Sequence, residues 1–246
     1  MKSLGIIGFG EFGRLAATHL ADRFAVGVHD AHRTEAEIAT AGFRPLPFAE
    51  AAGCDVLILA VPVQALEEVI VRAAPLVRPN ATVLDVASVK MLPSQWLAAY
   101  LPESVHVVPT HPLFGPQSVA RDGLEGRQLV ICPLRGEQHL RVAAIGEEMG
   151  MRVRITSAEE HDREMAYVQG LTHLIGRTLT GMHIPDEMLK TQTYQHLLDM
   201  TDLIGKDSFE LFTAIETLNP FARPITEDFV ARAAGLLAQV HGGGRT

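Results

Sequence analysis

A predicted strand that runs into a glycine-rich turn and then a helix constrains the fold of this chain more than any other feature. The strand covers residues 4–9, and Gly8 near its end forms the pattern glycine-x-glycine-x-x-glycine with Gly10 and Gly13. The first glycine permits a tight turn, the second lets the backbone approach a pyrophosphate, and the third lets the helix pack on the strand. In this context the pattern predicts a dinucleotide-binding βαβ unit, and a glycine-rich turn without a ligand is the alternative.

The residues predicted to contact the cofactor surround this turn. Asp30 ends the second predicted strand, where a carboxylate accepts hydrogen bonds from the adenosine ribose. Its charge would repel a 2′-phosphate, which favours NAD, but His32 and Arg33 could attract one, so NADP is the alternative. Asp30 could also be only a turn residue at a strand end. The predicted cofactor-binding set is Gly8, Phe9, Gly10, Glu11, Phe12, Gly13, Asp30, Val61 and Pro62.

Residues 1–156 alternate short β-rich runs with helical stretches, which predicts an α/β domain with a parallel sheet. Near-continuous apolar strands, such as residues 56–60, indicate a sheet that is covered on both faces. The predicted strands are 4–9, 25–28, 56–60, 82–86, 105–109, 128–132 and 152–155, and the predicted helices are 12–23, 63–74, 92–100 and 137–149. The expected fold of this part is a Rossmann-like dinucleotide-binding domain.

The sequence pattern changes at Ser157, and residues 157–246 are predicted to form an all-helical second domain. Ser157 and Glu160 have the spacing of a capping box, and apolar residues then recur at helical spacing to about Met182. Helical additions of this kind often bury an apolar stripe against a second subunit, so a homodimer is expected. The glycine-rich tail, residues 242–246, is expected to be disordered.

Composition excludes several classes of function. The net charge of −8 argues against nucleic acid or an anionic membrane as a partner. Cys54 and Cys132 lie in apolar segments and are expected to be reduced and buried, so an oxidising compartment is not implied. The longest apolar run is too short to span a bilayer, and a strand at the N-terminus leaves no room for a signal peptide. We expect a soluble, cytoplasmic protein, and no metal site is predicted.

Two segments bring polar side chains to the carboxyl edge of the predicted sheet, where ligands bind in open α/β sheets. Ser88 follows the strand of residues 82–86, and His111 is expected at the end of the strand that begins at Val105. The near-neutral pKa of histidine suits a general base. The alternatives are that His111 only ends a strand before a turn and that Ser88 caps the next helix.

Three polar residues are expected to share one face of the long helix of the second domain. Gln169, His173 and Arg177 fall at positions i, i+4 and i+8. Such a face is either solvated or the wall of a cleft that faces the first domain. In the second case the planar guanidinium of Arg177 would bind a carboxylate through two hydrogen bonds.

Six motifs, in this order, resemble the prephenate/arogenate dehydrogenase family, most closely its plant-type branch. They are residues 85–90 (DVASVK), 110–116 (THPLFGP), 160–163 (EHDR), 172–177 (THLIGR), 207–212 (DSFELF) and 219–222 (NPFA). The resemblance implies oxidative decarboxylation of a cyclohexadienyl substrate, in which His111 accepts the proton of the ring hydroxyl as hydride leaves for the nicotinamide. It also implies that Ser88 bonds that hydroxyl and His111, while Gln117 and the Gln169 face line the substrate pocket.

The resemblance also addresses the substrate and the cofactor. Asp207 matches the aspartate of arogenate-using members, where prephenate-using members carry a neutral residue, so arogenate is expected and prephenate is the alternative. Asp207 and Glu210 also fit a capping box for the next helix.

The bacterial prephenate-type branch carries a histidine where this chain has Gly176. That branch also has a downstream arginine that binds the ring carboxylate, and this chain has no clear match to it near residues 190–198. Arg177 is therefore the candidate for binding the ring carboxylate. Plant-type members that use NADP commonly carry arginine in place of Asp30, which supports NAD.

Two other functions remain open from the sequence. A β-hydroxyacid dehydrogenase shares this architecture, but that class requires a lysine followed by asparagine on the long helix, and residues 158–182 contain no lysine. A non-catalytic dinucleotide-binding sensor would bind the cofactor without turnover, and the combination of Ser88 with His111 argues against it.

Overall fold

The computed structural model describes residues 1–242, which form two compact units. One unit is Met1–His161 and the other begins at Asp162. The tail that was expected to be disordered lies outside the described residues except for Gly242, which ends the last helix. None of the helices described is long and apolar enough to cross a membrane.

The first unit contains two sheets rather than the single parallel sheet that was predicted. Six parallel strands have the order β3-β2-β1-β4-β5-β6, which is the Rossmann order, and a second sheet has the order β7-β8-β9. The strands are β1 Ser3–Ile7, β2 Ala25–His29, β3 Arg44–Pro45, β4 Val56–Leu59, β5 Thr82–Asp85, β6 His106–Val107, β7 Thr110–Pro112, β8 Gln128–Ile131 and β9 Arg152–Ile155.

Helices cover the strands of this unit, and the core lies on the central strands. Ile6 pairs with Val28 on one side and with Ile58 on the other, and all three side chains are buried. Cys54 and Cys132 are both buried and neither forms a disulfide bond, as predicted. The helices of this unit are α1 Glu11–Leu20, α2 Glu35–Thr40, α3 Phe48–Ala52, α4 Val63–Ala73, α5 Met91–Tyr100, α6 Pro116–Asp122 and α7 Gln138–Glu148, and α8 Ala158–Met165 begins in it and continues into the second unit.

The prediction of one strand from Val105 to Pro109 leading to His111 was wrong. Parallel pairing with β5 ends with the bond from the Val108 amide to the Val83 carbonyl, and at Thr110 it is the side-chain hydroxyl that donates to the Asp85 carbonyl. The chain then turns into the second sheet, where β7 pairs antiparallel with β8 and His111 lies opposite Val130. His111 is therefore held by the second sheet.

The second unit consists of helices and their connecting loops, with no strand in the residues that the structure describes. A π-helical segment, Ala166–Leu171, is followed by α9 Thr172–Gly181, α10 Gln192–Ile204, α11 Phe209–Leu218 and α12 Ala222–Gly242. The predicted long helix is thus interrupted by a wider turn. The Asn219 side chain, before α12, donates to the carbonyl of Asp162 (2.7 Å) and ties the two ends of the unit together.

Candidate active site

The glycine turn has the geometry that a pyrophosphate requires. Gly8 has φ +105°, and a Cβ there would lie 2.3 Å from the Ala60 carbonyl oxygen; a Cβ on Gly13 would lie 1.9 Å from the Gly8 oxygen. A Cβ on Gly10 would meet nothing within 4 Å, and no side chain caps α1. The uncapped helix N-terminus and the open space at Gly10 therefore fit a phosphate group.

The other residues predicted to contact the cofactor differ in how far their side chains are exposed. Glu11 is exposed, and Phe12 is half-buried beside Phe114, with 6.2 Å between ring centroids. The Phe9 ring is buried and contacts Phe43 edge-on at 5.6 Å, so this side chain belongs to the core. Val61 lies next to Gly8, with its Cγ1 3.1 Å from the position of a Gly8 Cβ. Pro62 is exposed at the N-cap of α4.

The carboxylate of Asp30 joins the end of β2 to the glycine turn. One oxygen accepts from the Phe9 amide at 2.6 Å, and the other accepts from the amides of His32 and Arg33 at 2.8 and 2.9 Å. Burial alone would raise the pKa of Asp30, but these amide bonds outweigh it and the pKa is lowered. The turn role and a ribose role are compatible, since each carboxylate oxygen has two lone pairs.

His111 lies in a buried hydrogen-bonded network at the start of the second sheet. Its Nδ1 is 2.8 Å from Nε2 of His161, and both side chains are almost fully buried. On the preceding residue, the Thr110 carbonyl accepts from Lys90 Nζ at 2.6 Å and the Thr110 hydroxyl donates to the Asp85 carbonyl at 2.6 Å. Lys90 also pairs with the Asp85 carboxylate, and both are wholly buried.

This environment keeps the imidazole of His111 neutral. Burial, and then the electrostatic interactions with His161 and with Lys90, lower the pKa of His111 well below its ordinary value of 6.5. A general base must be unprotonated to act. Because Nδ1 is engaged with His161, Nε2 is the ring nitrogen left to accept a proton from a substrate.

Ser88 and Gln117 lie in the segments that flank this network. Ser88 is half-buried in the bend between β5 and α5, and the N-cap of α5 is Lys90, with no side-chain cap. The alternative that Ser88 caps the helix is therefore wrong. Gln117 is exposed in the first turn of α6.

In the second unit, His173, Arg177 and Asp207 come together. Nε2 of His173 is 3.7 Å from Asp207 Oδ2, and the Arg177 guanidinium donates to the Asp207 carbonyl. Burial raises the pKa of Asp207, although His173 and Arg177 oppose this. Burial lowers the pKa of His173, and the nearby carboxylate of Asp207 opposes this shift.

The polar face on the long helix is partly buried. Gln169 Oε1, His173 Nδ1 and Arg177 Nε are each buried with no hydrogen-bond partner in residues 1–242. Gln169 lies in the π-helical segment, a feature that often occurs at functional sites. Buried polar atoms without partners cost free energy, so these side chains are suited to a polar ligand.

The predicted capping boxes form only in part. The Glu160 amide donates to Ser157 Oγ at 3.1 Å, but the Glu160 carboxylate accepts from the Thr156 hydroxyl instead of the Ser157 amide. Helix α11 is capped by Ser208, which accepts from the Leu211 amide, and not by Asp207. The carboxylate of Asp207 is therefore not needed as a cap.

Gly176, where the prephenate-type branch has histidine, is a packing position. A Cβ there would lie 2.6 Å from Ile204 Cδ1 on α10, so a larger side chain would push α9 and α10 apart. This close contact explains why the chain carries glycine at this point.

Sequence reasoning missed three residues of the buried network. His161 lies in one of the family motifs and Asp85 and Lys90 lie in another, but the sequence predicts no role for any of them. The available signal was a lysine and an aspartate within an otherwise apolar stretch, since buried charges are almost always paired. No comparable local signal relates His161 to His111, which is 50 residues away. No group of three potential metal ligands occurs in residues 1–242.

The strand order, the glycine turn and the Asp30 carboxylate define a dinucleotide-binding protein of the Rossmann class. Residues 24–154 match the family described as "Prephenate dehydrogenase, nucleotide-binding domain". The chain belongs to this family, which confirms the resemblance inferred from its motifs.

Relatives with described activities support this assignment. The chain is 30% identical to "Arogenate dehydrogenase 1, chloroplastic" of Arabidopsis thaliana over 97% of the chain and 40% of that protein. It is 30% identical to the "Probable arogenate/prephenate dehydrogenase" of Methanocaldococcus jannaschii over 72% of the chain and 41% of that protein. The chain thus spans less than half the length of these relatives.

Solved structures share the fold. A prephenate dehydrogenase from Aquifex aeolicus superposes with a TM-score of 0.79 at 20% identity, covering 99% of this chain and 94% of that one. Synechocystis arogenate dehydrogenase gives a TM-score of 0.68 at 17% identity, covering 98% and 92%.

Proposed function

We propose that this chain oxidises and decarboxylates arogenate to tyrosine, with NAD as the hydride acceptor. The observation that carries the proposal is His111: a buried, neutral imidazole with one nitrogen engaged, in a chain that begins with a dinucleotide-binding domain. Bound oxidised nicotinamide would supply the acceptor for hydride from the ring carbon that bears the hydroxyl. Asp30 would bind the adenosine ribose and disfavour a 2′-phosphate.

In this mechanism His111 holds one proton through the reaction. Nε2 of His111 accepts the proton of the ring hydroxyl as hydride leaves the same carbon, and Ser88 hydrogen-bonds that hydroxyl. The ring carboxylate then leaves as carbon dioxide, its bonding electrons complete the aromatic ring, and His111 returns the proton to the phenolate oxygen. Because His111 takes this proton from the ring hydroxyl and returns it to the same oxygen, no other proton acceptor is required.

The polar cluster of the second unit is proposed to bind the substrate. Gln169, His173 and Arg177 carry buried atoms without partners in the described chain, and Gln117 completes the expected set. Arg177 would bind a substrate carboxylate. Asp207 would accept the ammonium group that arogenate has and prephenate lacks, which favours arogenate.

Incubation of the purified protein with NAD and either arogenate or prephenate tests the proposal. Formation of NADH and tyrosine from arogenate supports it. Turnover of prephenate to 4-hydroxyphenylpyruvate would shift the substrate assignment, and cofactor binding without turnover of either compound would indicate a non-catalytic sensor. A parallel assay with NADP in place of NAD tests the assignment of the cofactor.

We also propose that the chain acts in the cytoplasm as a homodimer in which α12 pairs with a second copy. Exposed apolar side chains on α12 support this, because large exposed apolar patches mark interaction surfaces. They are Phe229, Val230, Leu236, Leu237 and Val240. Light scattering on Leu236→Lys should show a monomer, whereas Gln239→Lys, which adds the same charge at an exposed polar position, should remain a dimer.

A further inference from the structure

His161 pairs with the proposed base, although no predicted role was assigned to it. The two imidazoles meet edge to face, with 66° between the ring planes and 5.0 Å between centroids. Nδ1 of His111 and Nε2 of His161 are 2.8 Å apart, which is hydrogen-bond distance, so one hydrogen lies between them. His161 is 2% exposed and His111 is 3% exposed. The pair is therefore shielded from water, which could otherwise take the place of either partner.

The position of the shared hydrogen decides whether His111 can act as a base. If His111 donates from Nδ1, its Nε2 carries a lone pair and can accept a proton. If His161 donates from Nε2 instead, a neutral His111 must carry its hydrogen on Nε2, and it cannot accept the substrate proton there. Only the first tautomer is competent, since a neutral imidazole has one donor and one acceptor nitrogen.

Two elements fix the positions of the two rings. His111 is held in β7 by its pairing with Val130, and His161 lies in α8, where its amide donates to the Ser157 carbonyl at 3.0 Å. The Ser157 hydroxyl accepts from the Glu160 amide at the start of the same helix. Because the backbones of both residues are fixed, the hydrogen bond also restrains the rotation of the His111 ring.

We propose that His161 is a positioning residue that accepts the Nδ1 hydrogen of His111 and so keeps Nε2 of His111 free for the substrate. This inference rests on the proposed role of His111 as the base. His161 takes the place that a carboxylate occupies in a catalytic triad, where the third residue sets the tautomer and orientation of the histidine. A neutral acceptor stabilises the imidazolium less than a carboxylate does, which suits a base that must give its proton back.

The tautomer of His111 can be measured without turnover. Long-range proton–nitrogen correlation spectra of nitrogen-labelled protein distinguish the two tautomers, and the His111 signals are identified by their loss in His111→Asn. The unmodified protein should show hydrogen on Nδ1. His161→Gln, whose amide oxygen can accept the same bond, should keep that tautomer, whereas His161→Leu should show a mixture or the Nε2 form. A wild-type His111 with hydrogen on Nε2 overturns the proposal, whatever the substrate proves to be.

Kinetics provide the second measurement. His161→Leu should lower kcat about tenfold or more, the value of one lost hydrogen bond, with the affinity for NADH unchanged. His161→Gln should retain most of kcat. His106→Leu is the matched control: His106 is half-buried at the start of β6, and this variant should keep full activity. Unchanged kcat in His161→Leu, or an equal loss in both His161 variants, would contradict a positioning role. If the unmodified protein turns over neither substrate, the proposed function fails while the tautomer measurement still decides the role of His161.

Discussion

The two units of this protein use buried polar groups in opposite ways. In the first, the side chains around His111 bond to one another: the imidazole to His161, and Lys90 to both Asp85 and Thr110. In the second, Gln169, His173 and Arg177 each keep a buried atom without a partner in the described residues. A network in which every group is hydrogen-bonded fixes the geometry of a reacting group. Buried polar groups without partners instead stabilise a complex in which a ligand supplies the missing hydrogen bonds. Under the proposed function, the first unit would carry out the chemistry and the second would bind the substrate.

The largest expected effect tests the first half of this comparison. His111→Asn keeps hydrogen-bonding capacity but removes the basic nitrogen, so kcat should fall roughly 10²–10⁴-fold, the usual contribution of a general base. The dissociation constant of NADH, measured by fluorescence titration, should not change. Near-normal kcat in this variant would remove His111 from the mechanism.

The pH dependence follows from the same residue. Because the pKa of His111 lies below 6.5, the base stays neutral at pH 6.5, and kcat should fall only at more acidic pH. Stability should also decline as the pH falls below 6.5, since the unfolded chain then binds a proton that the folded chain does not. A pH–rate profile and thermal melts at matched pH values measure both effects. An acidic limb centred above 6.5 would contradict the neutral, buried histidine.

Substrate choice tests the second unit. Asp207→Asn removes one charge, and loss of a charge-assisted hydrogen bond of roughly 1.5–3 kcal/mol should lower kcat/KM for arogenate about tenfold to a hundredfold relative to prephenate. Ser208→Ala is the control, because it removes the cap of α11 and should lower Tm without changing the substrate ratio. An unchanged ratio in Asp207→Asn would exclude Asp207 from recognition of the ammonium group.

The glycine turn allows stability and ligand binding to be separated within the first unit. Gly13→Ala places a Cβ 1.9 Å from the Gly8 oxygen and should cost about 1–3 kcal/mol of unfolding free energy. Gly10→Ala meets no protein atom within 4 Å, so it should weaken NADH binding while Tm changes little. Urea unfolding and NADH titration of both variants check this, and unchanged NADH binding in Gly10→Ala would argue against a pyrophosphate site at Gly10.

The smallest expected effect concerns the second cofactor phosphate. Asp30→Ser removes a charge that should repel a 2′-phosphate, and two unit charges about 4 Å apart in water interact by about 1 kcal/mol, so the NADP-to-NAD preference should rise about fivefold. The variant should also lose stability, because three amides lose their acceptor. Asp55→Asn is the control, since Asp55 accepts from Ser3 at the opposite end of the strands. A wild-type preference for NADP would contradict the role given to Asp30.

The sequence by itself determined the local features of this protein. The glycine spacing, the apolar strands and the cap at Ser157 depend on residues close together in the chain, where backbone sterics and helix geometry dominate. These signals predicted the dinucleotide-binding domain, the helical second domain and the individual candidate residues. The short elements α2, α3, α6 and β3 were missed, although Thr34 and Glu37 form a capping box at the start of α2.

Only the tertiary structure decided how those residues combine. The chain leaves the first sheet after Val108 and places His111 in the second sheet, a result that depends on the pairing available from β8. The bond between His111 and His161 joins residues 50 positions apart, and the proximity of His173 to Asp207 depends on how α9 packs against its neighbours. Protonation follows from the same packing, because burial and nearby charges set the pKa of His111, and neither can be obtained from the spacing of residues along a chain.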